Sequence, residues 1–316
     1  MYKSLEISIK NARSYFLLRL FIHLLIKVNW LATLTRFFVR NHPKLSIHDV
    51  EQIFYIFDCE REAENIFLIK QIKRSFELNE IFDIGSNYGQ FINKLAGEFQ
   101  IGTCLDANPE AVSYLSEISS LKMFNLIHGA IVPSDYTNNK VVLKVPKGNT
   151  GAAHIGDMVD ANFDEVIVDS ISVKELVERY GDTRLNKFVK FDIEGLEPEL
   201  VADYLELDRP DKDVIAFEIL THESKIKLDQ VFKGVKQKFK FVTIRYSFLH
   251  ESGIMGKNKT ELLKMFLTGR ATIDLYVVEN VIDLDFEFMS LVFALPNNGS
   301  VENFFKNLKN IKEVLL

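Results

Sequence analysis

The sequence predicts an α/β domain built on a mostly parallel β-sheet with helices on both faces. Three observations carry this. From Ile81 onward, short apolar runs alternate with amphipathic segments, the pattern of strand–helix–strand units rather than of hairpins. Several runs end in acids, as in "IFDIGSNYG" from Ile81 to Gly89 and "LDANP" from Leu105 to Pro109. The chain of 316 residues, 47% hydrophobic, is long enough to bury a substantial core.

The elements follow in order. "IFDIG" reads as the first strand, with a helix over Asn87–Glu98 behind it. "GTCLDANP" is a strand leading to a helix near Glu110–Ile118, and "FNLIHGAIV" is a third strand followed by a loop. "VVLKV" and "EVIVDSIS" come next, the latter feeding the helix "VKELVERY". Then "KFVKFDIEG" is followed by "LEPELVADYL", and "DVIAFEIL" by a helix over Ser224–Lys238. "KFVTIRYS" and "ATIDLYVVE" read as the last strands. The loop from Pro146 to Asp164, rich in Gly, Asn and Asp, is too long for an ordinary connection and reads as a substrate lid or a disordered insertion. Upstream, Ile47–Leu78 carries apolar residues at helical spacing, and the tail after Glu279 ends in an amphipathic helix.

Charge excludes some functions. The net charge of −6 argues against a broad nucleic-acid surface. It is unevenly placed: residues 1–44 hold eight Lys/Arg against Glu6 alone, a net +7 that leaves −13 for the remainder. The basic part is also the most apolar, with Arg19, His23 and Lys27 four apart on one helical stripe. Arg19, Lys27 and Arg36 interrupt a span that would need about 20 largely uncharged residues, and no small-residue cleavage site follows. Two readings of residues 14–40 stay open: a helix lying on an anionic membrane surface, or a helix docked on the main domain. Cys59 and Cys104 have no metal or redox spacing and read as buried small hydrophobes in a reducing, cytoplasmic setting.

Ligands of parallel sheets bind beyond the carboxyl ends of the strands, so the strand ends hold the chemistry. In Asp83-Ile84-Gly85-Ser86-Asn87-Tyr88-Gly89, Asn87 stands where the dinucleotide fingerprint needs its second glycine. No Lys-Ser/Thr pair follows to make a phosphate-cradling loop. Asp83 would repel a pyrophosphate but suits an ammonium. Asp106 lies 23 residues on, near the spacing of about 20 at which an acid accepts from ribose hydroxyls. An acid for an ammonium, glycines (Gly85, Gly89) for close backbone approach and an acid for a ribose together describe S-adenosylmethionine. Asn87 and Asn108 join this cofactor set, and Gly129 and Ala130 offer small residues against which an adenine could lie.

These segments resemble the FkbM family of S-adenosylmethionine-dependent methyltransferases. "FDIGSNYGQF", "LDANPEAVSYL", "VDSISVKELV", "VKFDIEGLEPELV" and "VIAFEI" occur in the family's order over about Ile81 to Leu220. "KFDIEGLE", similar to the family's K-I-D-V-E-G-x-E, is the most specific of them. Ser86 replaces the usual Ala and Asp106 the usual Glu. The resemblance implies a class I methyltransferase fold, Rossmann-like with a seven-stranded sheet, and mostly O-methylation of sugar or polyketide hydroxyls. With it the chain divides into a basic amphipathic helical extension (1–44), a methyltransferase domain with its leading helix (45–280) and a C-terminal tail (281–316).

In "KFDIEGLE", Lys190, Asp192 and Glu194 alternate along a strand and share one side. Charges in a central strand cost several kcal/mol unless paired. Either Lys190 and Asp192 form a structural pair with Glu194 at the next helix start, or Asp192, with Glu194 second, is the catalytic base or acceptor-orienting residue. Glu218 could orient the acceptor, and His154 and His222 are outsiders. The expected partner is a small-molecule or glycan acceptor, with no metal demanded by spacing. Two other readings are an NAD or nucleotide-sugar oxidoreductase and a degenerate methyltransferase-fold interaction module.

Overall fold

The structure, a computed structural model, describes residues 2–10, 63–146, 154–155, 163–193, 195–207, 209, 211–246, 270–284, 290–309 and 313–315. The chain forms two compact units. The first comprises Ile69–Thr243 and Tyr276–Asn307, and the second comprises Tyr2–Leu68, Ile244–Leu275 and Leu308–Leu316.

In the second unit, β1 (Tyr2–Lys10) pairs in parallel with β14 (Glu313–Leu315), Ser8 opposite Glu313. The expected helical extension therefore begins with a strand. The cause is legible in "YKSLEISIK", where Leu5, Ile7 and Ile9 alternate with polar residues at the strand period of two. The stretch over 14–40, with its membrane-surface reading, and Cys59 lie outside the described residues, as does most of the leading helix before α1 (Ala63–Phe76). Among the described residues no helix is long and apolar enough to cross a membrane.

The first unit holds the main sheet. Its central strands are β2 (Leu78–Ile84), β3 (Ile101–Asp106), β4 (Asn125–His128), β9 (Asn186–Phe191) and β10 (Val214–Ile219). They run parallel in the order β10-β9-β2-β3-β4. Beyond β10 lies β13 (Ser290–Pro296), antiparallel both to β10 and to β11 (Phe239–Tyr246). The order β11-β13-β10-β9-β2-β3-β4 is thus mostly parallel, as expected, with the reversed strand β13 inserted between β10 and β11. "SLVFALP" sits in the tail of the sequence division at 280, whereas in the structure it is a buried strand of the main sheet, since Val292, Phe293, Ala294 and Leu295 have no exposure. The strand β12 (Arg270–Val278) precedes it.

Both faces are covered because the strands are apolar on both sides. Phe82, Val189, Phe191, Ile215 and Phe217 face α4 (Val173–Tyr180), α5 (Glu197–Glu206) and α6 (His222–Gly234) through residues such as Leu176, Tyr204, Leu228 and Phe232. On the other face Phe188 meets Phe99 and Phe293, with ring centroids 6.4 and 6.3 Å away. There Asn307 of α7 (Gly299–Lys309) also reaches Ser75 of α1 at 3.3 Å.

Local chemistry sets the helix starts. Asn108, Ser172 and Thr221 cap α3 (Pro109–Glu117), α4 and α6 by accepting a backbone N–H two or three residues on. The helix expected over Asn87–Glu98 shortens to α2 (Gln90–Asn93), with turn bonds such as Leu95 N–H to Ile92 O replacing it before Gly97.

The expected single strand "FNLIHGAIV" breaks at Gly129, whose N–H donates to Asp106 O at 3.0 Å. After it, β5 (Ala130–Val132) leaves the main sheet and joins a smaller one with β6 (Lys140–Pro146), β7 (His154–Ile155) and β8 (Phe163–Ser172) in the order β5-β8-β6-β7. Of the Pro146–Asp164 loop, only β7 and the ends belonging to β6 and β8 fall among the described residues.

Candidate functional site at the carboxyl ends of the parallel strands

Register brings the polar residues together. Leu105, Ile84, Phe191 and Phe217 lie side by side across β3, β2, β9 and β10. One residue further, Asp106, Gly85, Asp192 and Glu218 therefore stand at one level just past the paired strands. The ladder extends into this level through Gly85 N–H to Leu105 O at 2.9 Å and Asp192 N–H to Ile84 O at 3.1 Å. One layer below, on the same side, Asp83 faces Lys190 on one neighbour and Cys104 on the other.

The turn after β2 is left-handed at three positions: Gly85 (φ 82°), Asn87 (φ 46°) and Gly89 (φ 76°). The glycines are required by protein neighbours. A Cβ on Gly85 would lie 2.0 Å from the Asp192 carbonyl oxygen, and one on Gly89 would lie 2.4 Å from a Leu115 methyl. Sequence reasoning assigns both glycines to close ligand approach, but the close approach is between the chain's own strands and helices. Asn87 tolerates its φ as asparagine does, and its N–H donates to Asp106 Oδ2 at 2.7 Å.

Asp106 is the organising acid. Its Oδ1 accepts from Asn108 N–H at 2.8 Å, so each carboxylate oxygen holds one loop. Burial pushes its carboxyl up to about 6, opposed by these two N–H groups and reinforced by the charges of Asp83 and Asp192. Each oxygen keeps a lone pair for a further donor. Asn108, 5% exposed, gives its Oδ1 to Glu110 N–H at 3.0 Å. Its Nδ2 is buried with no partner among the described residues.

Asp83 has no exposure, and neither of its carboxylate oxygens has a hydrogen-bond donor among the described residues. Its nearest cation is Lys190 Nζ, 3.6 Å from Oδ1, an ion-pair distance beyond hydrogen-bond reach. Burial raises the Asp83 carboxyl, and Lys190 opposes the rise. The expected direct capture of a ligand ammonium therefore does not fit Asp83: it lies beneath the rim, and Lys190 is the cation beside it. The buried Cys104 thiol is pushed up by burial, with the Asp83 charge adding to the effect, so it is inert.

Lys190 Nζ donates to Asp192 Oδ2 at 2.7 Å and sits 4.8 Å from the Phe91 ring centroid. The Lys190–Asp192 pairing is present, with Asp192 about one-third exposed at its far end. Behind Asp192 the turn is pinned by Glu197, whose carboxylate accepts from Ile193 N–H at 3.0 Å and Gly195 N–H at 2.9 Å, with Gly195 at φ 113°. Glu194 lies outside the described residues.

Ala130 does not present a flat seat for a ring. At 3% exposure its methyl packs with Val132, Val141 and Val168 in the small sheet's core. His222 opens α6, exposed, and His154 lies in β7. Among the described residues no cluster of three His, Cys, Asp or Glu could hold a metal. The feature sequence reasoning missed is the unpartnered Asn108 amide, and its signal was present: asparagine before a helix-starting proline is a cap, which commits the oxygen and leaves the nitrogen to be satisfied.

No protein-family model matches the chain, and no curated protein sequence matches it. In fold it is similar to several solved methyltransferases. One is the methyltransferase FkbM from Methylobacillus flagellatus KT, at 12% identity and a TM-score of 0.34, covering 64% of this chain and 44% of that one. Another is the O-methyltransferase from Bacillus cereus, in complex with S-adenosylhomocysteine, at 10% identity and a TM-score of 0.40, covering 84% and 97%. A third is the precorrin-6y C5,15-methyltransferase from Geobacter metallireducens, at 8% identity and 0.33, covering 72% and 86%.

Proposed function

We propose that the protein is an S-adenosylmethionine-dependent methyltransferase acting on a hydroxyl of a small molecule, glycan or glycolipid. The observation that carries this reading is Asp106, anchored through both oxygens at the end of the strand next to a left-handed turn, with lone pairs left over for a diol. Beside it Asn108 Nδ2, without a partner among the described residues, supplies a donor. S-adenosylmethionine, when bound, supplies a methyl group made electrophilic by its sulfonium. Asp106 would hold the ribose hydroxyls, Asn108 a neighbouring acceptor atom, and the Ser86–Gly89 backbone the edge of the pocket.

The oxidoreductase reading is disfavoured by where the turn's N–H groups go. A dinucleotide's pyrophosphate needs free backbone donors at a helix N-terminus. Here Gly85 and Ser86 donate to Leu105 O, Asn87 to Asp106 and Gly89 to Ser86 O, and the helix that follows is four residues long.

At the reacting end stands Asp192, half-buried, its side chain about one-third exposed. Held by Lys190, it can accept a hydrogen bond from an acceptor hydroxyl and orient it. Orientation is worth roughly 7–11 kcal/mol in well-aligned reactions, whereas a positioned base adds roughly 10²–10⁴-fold. Glu218, at the same level on β10, is the next acid along. Titration calorimetry with S-adenosylmethionine and with NAD tests the cofactor: binding of the first alone is expected, and failure to bind it ends the reading. Methyl transfer from labelled cofactor onto a pool of cell-extract glycans and lipids tests the acceptor class.

A further inference from the structure

We propose that Lys190 is a positioning residue of this site, one ammonium shared between Asp192 at the rim and Asp83 beneath it, which sets how strongly the strand ends prefer a cationic ligand over a neutral one. The inference rests on the S-adenosylmethionine reading for its ligand, and on geometry for the rest.

Lys190 Nζ hydrogen-bonds Asp192 at 2.7 Å and lies 3.6 Å from Asp83. Its side chain is 6% exposed and Asp83 is fully buried. A buried carboxylate without a hydrogen-bond donor is costly, so Asp83 needs that ammonium close. Asp192 instead has one oxygen on the ammonium and an open end at the rim. The arrangement keeps the cation at the strand end and cancels much of the charge on Asp192. Other charged or polarisable groups face the pair from each neighbouring element: Asp106 from β3, Glu218 from β10, Glu197 from α5 and the Phe91 ring from α2. The charged groups named here are all negative, and among them Lys190 is the counterweight.

The reaction assigned above removes a positive charge from the ligand as the methyl group leaves. A bare carboxylate at the rim would favour the cationic ground state over a transition state whose charge is dispersing, which binds without accelerating. Lys190 limits that preference and steadies the oxygen that orients the acceptor. It acts through Asp192.

Two experiments decide it. In the wild-type chain, a hydrogen-bond scalar coupling from the Lys190 ¹⁵Nζ to the Asp192 carboxyl carbon is expected, with none to Asp83. An ammonium coupled to neither, exchanging freely with water, overturns the proposal. The second compares affinities for S-adenosylmethionine and S-adenosylhomocysteine. In Lys190→Met the ratio should shift toward the cationic ligand by about tenfold, the effect of one partly screened charge. Lys190→Arg should keep the wild-type ratio. Equal weakening of both ligands in Lys190→Met means a structural role only and overturns the proposal. If the wild type binds neither ligand, the cofactor reading fails, and the scalar coupling alone decides the role of Lys190.

Discussion

Strand β9 carries two buried lysines, three residues apart, whose surroundings differ in one respect. At the amino end, Lys187 has every polar neighbour accounted for. Its ammonium donates to Glu80 and to the Asp182 carbonyl oxygen and faces the Phe82 ring, and its backbone N–H donates to Asp213 at 2.8 Å. Asp213 also takes Tyr204 Oη at 2.8 Å and Arg209 Nε at 3.2 Å. The other Arg209 nitrogens bond the Thr183 and Leu185 carbonyl oxygens. At the carboxyl end, Lys190 lies by Asp192 and Asp83, and among the described residues Asp83 has no hydrogen-bond donor and the neighbouring Asn108 amide no partner. The same fold therefore holds a closed polar network at one end of its sheet and an incomplete one at the other. A closed network fixes strands, and the groups left open at the other end are the ones the proposed cofactor would meet.

Substitutions at the two ends should separate these roles. The largest effect is on stability. Lys187→Met strands Glu80 in the core, where removing one partner of a buried pair costs about 3–5 kcal/mol. Urea denaturation should show that loss, and a smaller one for Asp192→Asn, because Asp192 is partly open to water and Lys190 keeps Asp83 as its counter-ion. Equal losses would erase the distinction between the ends.

Next is binding. Asp106→Asn removes one acceptor oxygen and the charge, and hydrogen bonds to charged groups contribute about 1.5–3 kcal/mol. S-adenosylmethionine affinity by calorimetry should fall by about ten- to a hundredfold, whereas Lys187→Arg should leave it unchanged.

The pH dependence follows from Asp106. Its folded-state pKa of about 6 lies above the ordinary 3.8. Its share of ligand-free stability is therefore full below the unfolded pKa and lost as pH rises toward 6. Cofactor binding needs the carboxylate, so affinity should weaken as pH falls through about 6. Thermal shift with and without cofactor, from pH 4.5 to 8, measures both trends, and Asp106→Asn should flatten them.

The smallest effect compares two glycines. Gly85→Ala meets both a left-handed φ and the Asp192 carbonyl oxygen, whereas Gly195→Ala meets only its φ, with nothing within 4 Å. The second should cost about 1–2 kcal/mol in urea denaturation and the first distinctly more. Similar costs would mean that β9 does not press against the turn.

How much of this was readable from the sequence follows the same divide. Asp83, Gly85, Asn87 and Gly89 lie within seven residues, and Asp106 ends the next strand, so local pattern placed the carboxyl-end chemistry. The amino-end network was invisible because Glu80 and Lys187 are 107 residues apart and no local rule pairs them. "SLVFALP" was missed as a sheet strand because its partners, β10 and β11, come earlier and are joined to each other first. The glycines were found for an incomplete reason, since their crowding partners Asp192 and Leu115 come from other elements. Ala130 was misplaced because a break at Gly129, which sends the chain into a second sheet, reads in sequence as one continuous apolar run.

The comparison between the ends is tested most directly by amide hydrogen exchange of the full chain with and without S-adenosylmethionine. New protection is expected over residues 84–90 and 106–110, and none at 182–187 or 213. Protection at the amino end, or none at the carboxyl end under saturating ligand, would contradict it.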